Sequence, residues 1–367
     1  MSSHLETRPL GKDGPSVPRL GFGTMGLSAF YGPTKPDAER LALLDKAYEL
    51  GETFWDSGTS PAPPLPPQSS PHFPCEHSTH QKTAALYLDS ETLLGTWLRA
   101  NPSKRPQIFL ATKFGAEFED GRMIIDSSRG RCLFSCERSL QRLGVSQIDL
   151  LYAHRLDPAV PVEETVQAMA ELQSAGKIKY LGLSEVSAAT LRRACRVHPI
   201  AAVQVEYSPF SLEIESPQTD LLKTARELGV AVVAYSPLSR GILTGRIRSR
   251  ADFPEGDLRL GMPRYREGNF EKNLQLVERL RGFADEKGCT VGQLVLAWLL
   301  AQGDDIFPIP GTTRPEALVE NVAALEVRLT EEEVARVRAV VDEVEVLGGR
   351  YGEEALKTCF VDTVPLE

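Results

Sequence analysis

The sequence of 367 residues lacks several features that mark common non-enzymatic proteins. Its net charge of -9 and its pI near 5.4 disfavour a nucleic acid or an anionic membrane as a partner, because both attract basic faces. No apolar run approaches the roughly 20 residues that a membrane-spanning helix needs. No basic and apolar leader opens the chain. We therefore expect a globular protein with a sizeable core and neither a nucleic acid nor a membrane as its partner.

Cysteine is scarce, and its spacing shows no pairing. No Cys-x-x-Cys motif occurs among the six cysteines, which are Cys75, Cys132, Cys136, Cys195, Cys289 and Cys359. In a chain of this length the pattern predicts reduced thiols and a cytoplasmic location. Cys75 lies close to His77 and His80, but their neighbours supply no fourth ligand at a standard spacing. We therefore predict no metal site.

The sequence does contain a regular alternation of short apolar stretches with amphipathic helices. Near-continuous apolar runs predict parallel strands that are buried on both faces, and eight are found: Arg19–Gly23, Thr53–Asp56, Gln107–Lys113, Ile148–His154, Tyr180–Ser184, Ala202–Glu206, Ala231–Tyr235 and Ile306–Ile309. Helices are predicted at Pro36–Leu50, Ser90–Ala100, Ser187 to about Val197, Thr290–Ala301, Pro315 to about Leu325 and Thr330 to about Val346. Eight such alternations predict one (β/α)8 barrel domain over residues 1–367, with a short hairpin that turns at Lys12-Asp13-Gly14.

One segment interrupts the alternation. Residues 61–86 carry seven prolines in their first 14 positions, followed by a polar run. The missing N–H groups forbid regular structure, so we predict an irregular insertion after the second strand. Lengthening a loop from about four to about thirty residues costs only about 2 kcal/mol in closure entropy, so the barrel should tolerate it. A translated intron or a faulty gene model is an alternative origin for the segment.

Ionisable residues close three of the predicted strands. Asp56, Lys113 and His154 each follow or end an apolar run. Catalytic groups of a (β/α)8 barrel lie at the carboxyl ends of its strands, so these three side chains are expected to meet at one mouth. A structural ion pair would explain any one of them, whereas the three together favour a catalytic site.

Motifs at these strand ends resemble the aldo-keto reductase superfamily over nearly the whole chain. The matching stretches are Gly21-Phe-Gly-Thr-Met-Gly26, Phe54-Trp-Asp56, Ala111-Thr-Lys-Phe-Gly115, Tyr152-Ala-His-Arg-Leu-Asp157, Gly182-Leu-Ser-Glu185, Val203-Gln-Val-Glu-Tyr-Ser208, Ala234-Tyr-Ser-Pro-Leu238, Ile309-Pro-Gly-Thr-Thr-Arg314 and Glu320-Asn321. The resemblance extends to pyridoxal-reductase-like and potassium-channel-β-subunit-like members. It implies NADPH-dependent reduction of aldehydes or ketones by hydride transfer. No Gly-x-Gly-x-x-Gly fingerprint follows a strand, so a Rossmann domain is not predicted.

The resemblance implies a catalytic tetrad, carried here by Asp56, Tyr87, Lys113 and His154. The tyrosine would protonate the carbonyl oxygen, and the lysine ammonium would lower the tyrosine pKa from near 10. The aspartate would hold the lysine, and the histidine would orient the carbonyl. In the family the tyrosine follows the aspartate closely, whereas here the insertion displaces it to Tyr87, and Leu88 replaces the usual glycine. A cofactor-binding regulatory protein or an impaired reductase is therefore the alternative function.

The expected cofactor site begins where Pro310–Arg314 joins the last strand to a helix. Its N–H groups and the helix dipole favour an anion, and Arg314 would meet a ribose 2′-phosphate, which favours NADPH over NADH. The resemblance places the other contacts as follows: Thr24 and Met25 at the nicotinamide ribose, Ser184 and Gln204 at the carboxamide, Tyr235 on the nicotinamide face, Ser236, Pro237, Leu238 and Arg240 along the pyrophosphate with Arg246 closing the same motif, Gly311 and Thr313 beside the phosphate, and Glu320 and Asn321 at the adenine.

Two features bear on specificity. Glu185 stands where many members of the family have asparagine. The loop after Ser236 and the tail 348–367 are expected to select the carbonyl substrate, because specificity in barrels resides in loops. Trp55, Phe210 and Tyr265 either line an apolar pocket or pack in the core.

Overall fold

A computed structural model describes residues 5–28, 31, 33–58, 89–119, 122–255 and 257–367. Its strands are β1 (Thr7–Pro9), β2 (Ser16–Pro18), β3 (Phe22–Gly23), β4 (Phe54–Asp56), β5 (Phe109–Phe114), β6 (Ala116–Glu119), β7 (Arg122–Ile125), β8 (Ile148–Ala153), β9 (Ile178–Ser184), β10 (Ala202–Glu206), β11 (Ala231–Tyr235) and β12 (Ile306–Pro308). Its helices are α1 (Asp37–Glu49), α2 (Ser90–Ala100), α3 (Arg129–Leu143), α4 (Val162–Ser174), α5 (Ala188–Val197), α6 (Leu221–Leu228), α7 (Asn269–Lys287), α8 (Val291–Leu300), α9 (Pro315–Ala323), α10 (Glu331–Glu343) and α11 (Glu353–Leu356).

Eight strands form one parallel sheet in the order β3-β4-β5-β8-β9-β10-β11-β12. Each predicted strand corresponds to one of these eight, so the fold prediction is confirmed. The hairpin of β1 and β2 is also confirmed, and it packs Leu10 and Val17 against the residues inside the sheet. A second hairpin, β6–β7, was not predicted.

The first and last strands meet through two backbone hydrogen bonds. The N–H of Gly21 donates to the carbonyl of Pro308 at 3.0 Å, and that of Gly23 to the carbonyl of Pro310 at 3.3 Å. A Cβ atom on Gly23 would lie 2.8 Å from the Ile309 oxygen, and one on Gly311 would lie 2.6 Å from the Gly23 oxygen. Only glycine permits this approach, so two glycines of the sequence motifs allow the sheet to curl into a barrel.

Alternating strand residues separate the two apolar layers. Phe54, for example, joins the cluster inside the barrel, whereas its neighbour Trp55 packs among the helices. This follows from the two-residue period of a strand. The strands therefore read as unbroken apolar runs because both faces are covered, and the polar residues at their carboxyl ends come together at one edge, which we call the mouth.

Helix ends agree with the capping signals. The Thr330 side chain accepts from the Glu333 N–H, and Ser187 accepts from that of Thr190, as predicted for α10 and α5. The bounds of α2 match the prediction, whereas other elements differ by a few residues; His154, for instance, lies just beyond β8. Among the described residues, no helix is long and apolar enough to cross a bilayer.

Candidate active site

A buried ion pair joins the ends of β4 and β5 at the mouth. Lys113 Nζ donates to Asp56 Oδ1 and, at 2.5 Å, to the carbonyl oxygen of Ser57. Asp56 Oδ2 accepts from Gln204 Nε2 at 2.8 Å. Burial raises the pKa of Asp56, although the charge of Lys113 and hydrogen bonds from Lys113 and Gln204 oppose the rise. Because burying two charges costs several kcal/mol per ion, such a pair at the mouth favours a functional role.

The start of α2 is attached to the same strand end. Ser90 Oγ lies 3.0 Å from Thr24 Oγ1 and 2.9 Å from Ser57 Oγ, and Thr24 Oγ1 donates to the carbonyl of Asp56 at 3.0 Å. All four of these residues are buried. Next to Ser90, both carboxylate oxygens of Asp89 accept from Arg40 at 2.8 Å. The helix that follows the predicted insertion is therefore docked against the mouth.

His154 follows β8 directly, and its backbone N–H donates to the Phe114 carbonyl at 2.7 Å. Burial, and then the charges of Arg155 and Lys113, lower the pKa of His154 well below its ordinary value. The imidazole is therefore neutral at neutral pH and has one N–H donor. A neutral donor beside an ammonium is suited to orient a carbonyl oxygen.

The residues expected at the carboxamide lie side by side. Ser184 and Gln204 are paired across β9 and β10. Ser184 Oγ accepts from Arg155 Nη1 at 3.4 Å, while the amide nitrogen of Gln204 is bound to Asp56. Gln204 thus links the predicted carboxamide site to the ion pair.

The predicted phosphate site lies before α9. Arg314 is the N-cap residue of α9, and its backbone N–H donates to Thr312 Oγ1 at 3.1 Å. Within the described part of the chain, the Arg314 guanidinium forms no ion pair. A helix N-terminus and an uncommitted guanidinium together suit an anion.

A cavity of about 510 Å³ lies on the predicted adenine side, away from Asp56 and Lys113. Glu320 of α9 lines it and accepts from Arg246 Nη2 at 2.6 Å and from Thr290 Oγ1 at 2.7 Å. Arg248 and Arg281 also line it. The cavity is therefore lined by three arginines and by the carboxylates of Asp285 and Glu320.

The loop after β11 has an unusual backbone. Ser236, Ser239 and Arg240 have φ values of 49°, 43° and 51°, a region that residues other than glycine rarely adopt. Arg240 donates to the two carboxylate oxygens of Glu206 at 3.3 and 3.0 Å, and Arg264 donates to one of them at 3.3 Å. Glu206 ends β10 and is fully buried. Two guanidinium groups thus hold this carboxylate and the loop predicted to follow the pyrophosphate.

Tyr235 ends β11 and donates its hydroxyl proton to Glu185 Oε1 at 2.8 Å. Glu185 is also paired with Arg350, from the tail. The other predicted cofactor residues are placed as follows: Met25 in the short helix 25–27 after β3, Pro237 and Leu238 in the loop after β11, Gly311 and Thr313 between β12 and α9, and Asn321 buried in α9.

Sequence reasoning did not find Glu206, Arg264 or Arg350. Glu206 offered a signal, because it is an acidic residue that closes an apolar strand, as Asp56 does. The two arginines offered none, because they are distant in sequence from their partners and no spacing rule predicts the contact.

The three aromatic side chains predicted either to line an apolar pocket or to pack in the core belong to the core. Trp55 packs edge-on against Trp97 with ring centroids 4.7 Å apart, and Tyr265 stacks on Phe270 at 6.2 Å. Phe210 belongs to the same outer cluster. Core packing therefore accounts for all three predicted pocket residues.

Some predictions fall outside the described residues. These are Tyr87, the insertion 61–86, and the Cys75, His77 and His80 group. Within the described ranges, no cluster of His, Cys, Asp and Glu has metal-binding geometry.

Comparison with known proteins agrees with the motifs. The model of the Aldo/keto reductase family matches residues 19–342. The protein therefore belongs to the aldo/keto reductase family, and the resemblance seen in the sequence is confirmed.

Similar proteins match over almost the entire chain. Aldo-keto reductase str7 of Strobilurus tenacellus is 48% identical over 351 residues, which are 94% of this chain and 95% of that protein. Aldo-keto reductase yakc [NADP(+)] of Schizosaccharomyces pombe is 44% identical over 364 residues, 99% of each chain. Among solved structures, the glycerol dehydrogenase AKR11B4 from Gluconobacter oxydans is 27% identical with a TM-score of 0.75, covering 92% of this chain and 95% of that one.

Proposed function

We propose that this protein reduces aldehydes or ketones to alcohols with NADPH, with Tyr87 as the proton donor. The buried Asp56–Lys113 pair at the mouth carries the proposal, because it places an ammonium where a proton donor needs its pKa lowered. The yakc relative, named for NADP(+), supports the choice of cofactor.

The residues at the predicted cofactor site fit a phosphorylated dinucleotide. The N-terminus of α9 and the Arg314 guanidinium, which has no ion-pair partner among the described residues, would hold the 2′-phosphate, and the cavity beside Glu320 would accept the adenine. The glycine contact between Gly23 and Gly311 leaves the backbone bare of side chains next to this site. When bound, NADPH supplies the hydride.

Each member of the tetrad has a separate task. Lys113 lowers the pKa of the Tyr87 hydroxyl, so that this group can give its proton to the carbonyl oxygen as charge builds there. Asp56 fixes the ammonium through its carboxylate. His154 stays neutral and donates an N–H to the same oxygen.

The length of chain before α2 supports the role of Tyr87. Tyr87 precedes Ser90 by three residues, and an extended chain of that length spans at most about 11 Å. Ser90 Oγ is 2.9 Å from Ser57 Oγ, and the carbonyl of Ser57 is 2.5 Å from Lys113 Nζ. A phenol at position 87 therefore has the reach to meet the ammonium.

We further propose that residues 1–367 act as one barrel domain and that 61–86 form an irregular insertion within it. The five described cysteines are free thiols, which supports a cytoplasmic location. The substrate is a small carbonyl compound.

The test compares steady-state NADPH oxidation, with a panel of aldehydes and ketones, for four forms of the protein. These are the unaltered chain, Tyr87→Phe, a variant lacking 61–86, and Tyr48→Phe as a control, since the Tyr48 hydroxyl binds Gln107 on the exposed side of α1. We expect Tyr87→Phe to lower kcat by about 100- to 10,000-fold while the Kd for NADPH stays within about twofold, because only proton transfer is lost. Full activity in Tyr87→Phe would refute the assignment of the donor.

A cofactor-binding regulatory protein is the second candidate, favoured by the displacement of the tyrosine by the insertion. It predicts NADPH binding without turnover in the unaltered chain. If turnover appears only in the variant lacking 61–86, the insertion blocks catalysis and this second function is supported.

A further inference from the structure

The tail brings an arginine into the mouth. Arg350 lies between α10 and α11, and its side chain is only 2% exposed. Its Nη1 and Nη2 donate to Oε1 and Oε2 of Glu185, each at 2.7 Å. This two-pronged arrangement is the strongest and most directional form of a carboxylate ion pair.

Glu185 is fixed on its backbone as well as on its side chain. Its φ of 54° lies in the left-handed region. Its N–H donates to the carbonyl of Gln204 at 3.1 Å, and its own carbonyl accepts from the N–H of Val361 at 3.0 Å. The backbone of Glu185 therefore connects β10 to the tail.

The same carboxylate holds Tyr235. The Tyr235 hydroxyl donates to Glu185 Oε1 at 2.8 Å. The hydroxyl oxygens of Tyr235 and Tyr351 lie 3.1 Å apart. Burial, followed by the charge of Glu185, raises the pKa of Tyr235 well above its ordinary value. The hydroxyl therefore remains protonated and serves as a donor to Glu185, which makes Tyr235 unsuited to give up a proton in catalysis.

Charge balance explains why an acidic residue can stand at position 185. Burial alone would raise the pKa of Glu185, but the charges of Arg350 and Arg155, with hydrogen bonds from Arg350 and Tyr235, lower it. Glu185 is thus an anion because the two arginines are near. Without Arg350, a fully buried carboxylate would lose its two-pronged partner and would either take up a proton or turn toward Arg155.

We propose that Arg350 is a positioning residue for hydride transfer, which holds Glu185 as an anion so that Glu185 can lock the ring of Tyr235 against the nicotinamide. This rests on the proposed function and on the place of Tyr235 at the nicotinamide face, which the family resemblance implies. Glu185, which stands where many family members have asparagine, and Arg350 of the tail then act as a pair. The pair does not contact the cofactor; it sets the angle and the rigidity of the Tyr235 ring against which the nicotinamide rests.

The test measures the Kd for NADPH, the fluorescence lifetime of the bound nicotinamide, and kcat with KM, in Arg350→Met, Arg350→Lys, Glu185→Gln and the double variant. Arg193→Met is the matched control, because Arg193 forms a comparable two-pronged pair with Glu163 at 2.9 and 2.6 Å and holds the tail at Thr363 and Val364, outside the mouth. It separates anchoring of the tail from positioning of Tyr235.

We expect Arg350→Met to shorten the fluorescence lifetime and to lower kcat by about 10- to 100-fold, because a displacement of the nicotinamide by about 1 Å has an effect of that size. The Kd for NADPH should stay within about threefold. Arg350→Lys keeps the charge but loses one of the two hydrogen bonds. Its lifetime and kcat should therefore lie between those of Arg350→Met and those of the unaltered chain. The double variant also removes the Glu185 anion and leaves the buried charge of Arg155 without it, so its kcat should be no higher than that of Arg350→Met. Arg193→Met should leave both readouts unchanged.

Equal lifetimes and equal kcat in Arg350→Met and the unaltered chain would overturn the proposal. It would also be overturned if Arg193→Met changed the lifetime and kcat as much as Arg350→Met does. If Arg350→Met does not fold, the lifetime of Arg350→Lys decides in the same way. If the unaltered chain binds NADPH but does not turn over, the proposed function fails, whereas the lifetime still tests the role of Arg350.

Discussion

A carboxyl group unrelated to the mouth gives the sharpest prediction on stability. Glu52 precedes β4 and is fully buried. Its backbone is satisfied, because its N–H donates to Ala47 and its carbonyl accepts from the indole of Trp55 at 2.7 Å. Neither carboxyl oxygen has a hydrogen-bond partner among the described residues. Burial therefore raises the pKa of Glu52 well above its ordinary value.

The sign of the effect follows from proton linkage. The folded state keeps a proton that the unfolded chain releases above its pKa of about 4.5, so the free energy of unfolding falls as the pH rises through and above that value. The slope is at most about 1.4 kcal/mol per pH unit. Between pH 4.5 and pH 7 the loss therefore has a ceiling of about 3 kcal/mol.

Two substitutions separate the contributions. Glu52→Gln removes the titration but leaves an unsatisfied polar group, so its advantage over the unaltered chain should be small at pH 5 and grow toward pH 8. Glu52→Leu removes both the titration and the unsatisfied polar group. Removal of the unsatisfied group should add about 1–3 kcal/mol to the free energy of unfolding at every pH. Glu49→Gln, on the exposed face of α1, should change stability by less than about 0.5 kcal/mol.

Urea unfolding at pH 5, 6, 7 and 8 measures these differences in the free energy of unfolding. The reasoning fails if the gap between Glu52→Gln and the unaltered chain is the same at pH 5 and pH 7. Such a result would mean that the carboxyl group titrates as it does in the unfolded chain.

Two further predictions concern the mouth and the cofactor. Arg314→Leu should raise the KM for NADPH by about 10- to 100-fold and leave the KM for NADH nearly unchanged, because a charge-assisted hydrogen bond contributes about 1.5–3 kcal/mol; the exposed Arg328→Leu is the control, and an equal rise with both cofactors would contradict it. Burial and the charges of Arg155 and Lys113 lower the pKa of His154 well below its ordinary value, so its imidazole should be neutral at neutral pH. His154→Gln should therefore lower kcat/KM without changing its pH profile, and an inflection near pH 6.5 that disappears in this variant would be evidence against a neutral imidazole.

The sequence predicted the barrel because its physical signals are local. Each buried strand is an unbroken apolar run, as β8 illustrates, and each cap depends on residues three positions apart, such as Thr330 and Glu333. The hairpin β6–β7 was not predicted from the sequence.

The proximity of three of the predicted site residues also follows from local signals. Asp56, Lys113 and His154 end neighbouring strands, so the topology of a parallel barrel brings them to one mouth. What the sequence could not give is the set of contacts made by Arg240, Arg264 and Arg350, since loops carry them and side-chain length allows many partners.

The sequence alone thus determined the eight strands of the barrel and the residues near the end of each strand, because two-residue and 3.6-residue periods are local properties of the chain. Only the tertiary structure decided which charges share a partner. Glu185 is an anion because folding brings Arg350 to it across 165 positions of the sequence, and Glu52 is unpartnered because folding buries it where no described donor lies. Desolvation and pairing depend on distances in space, and no local pattern records them.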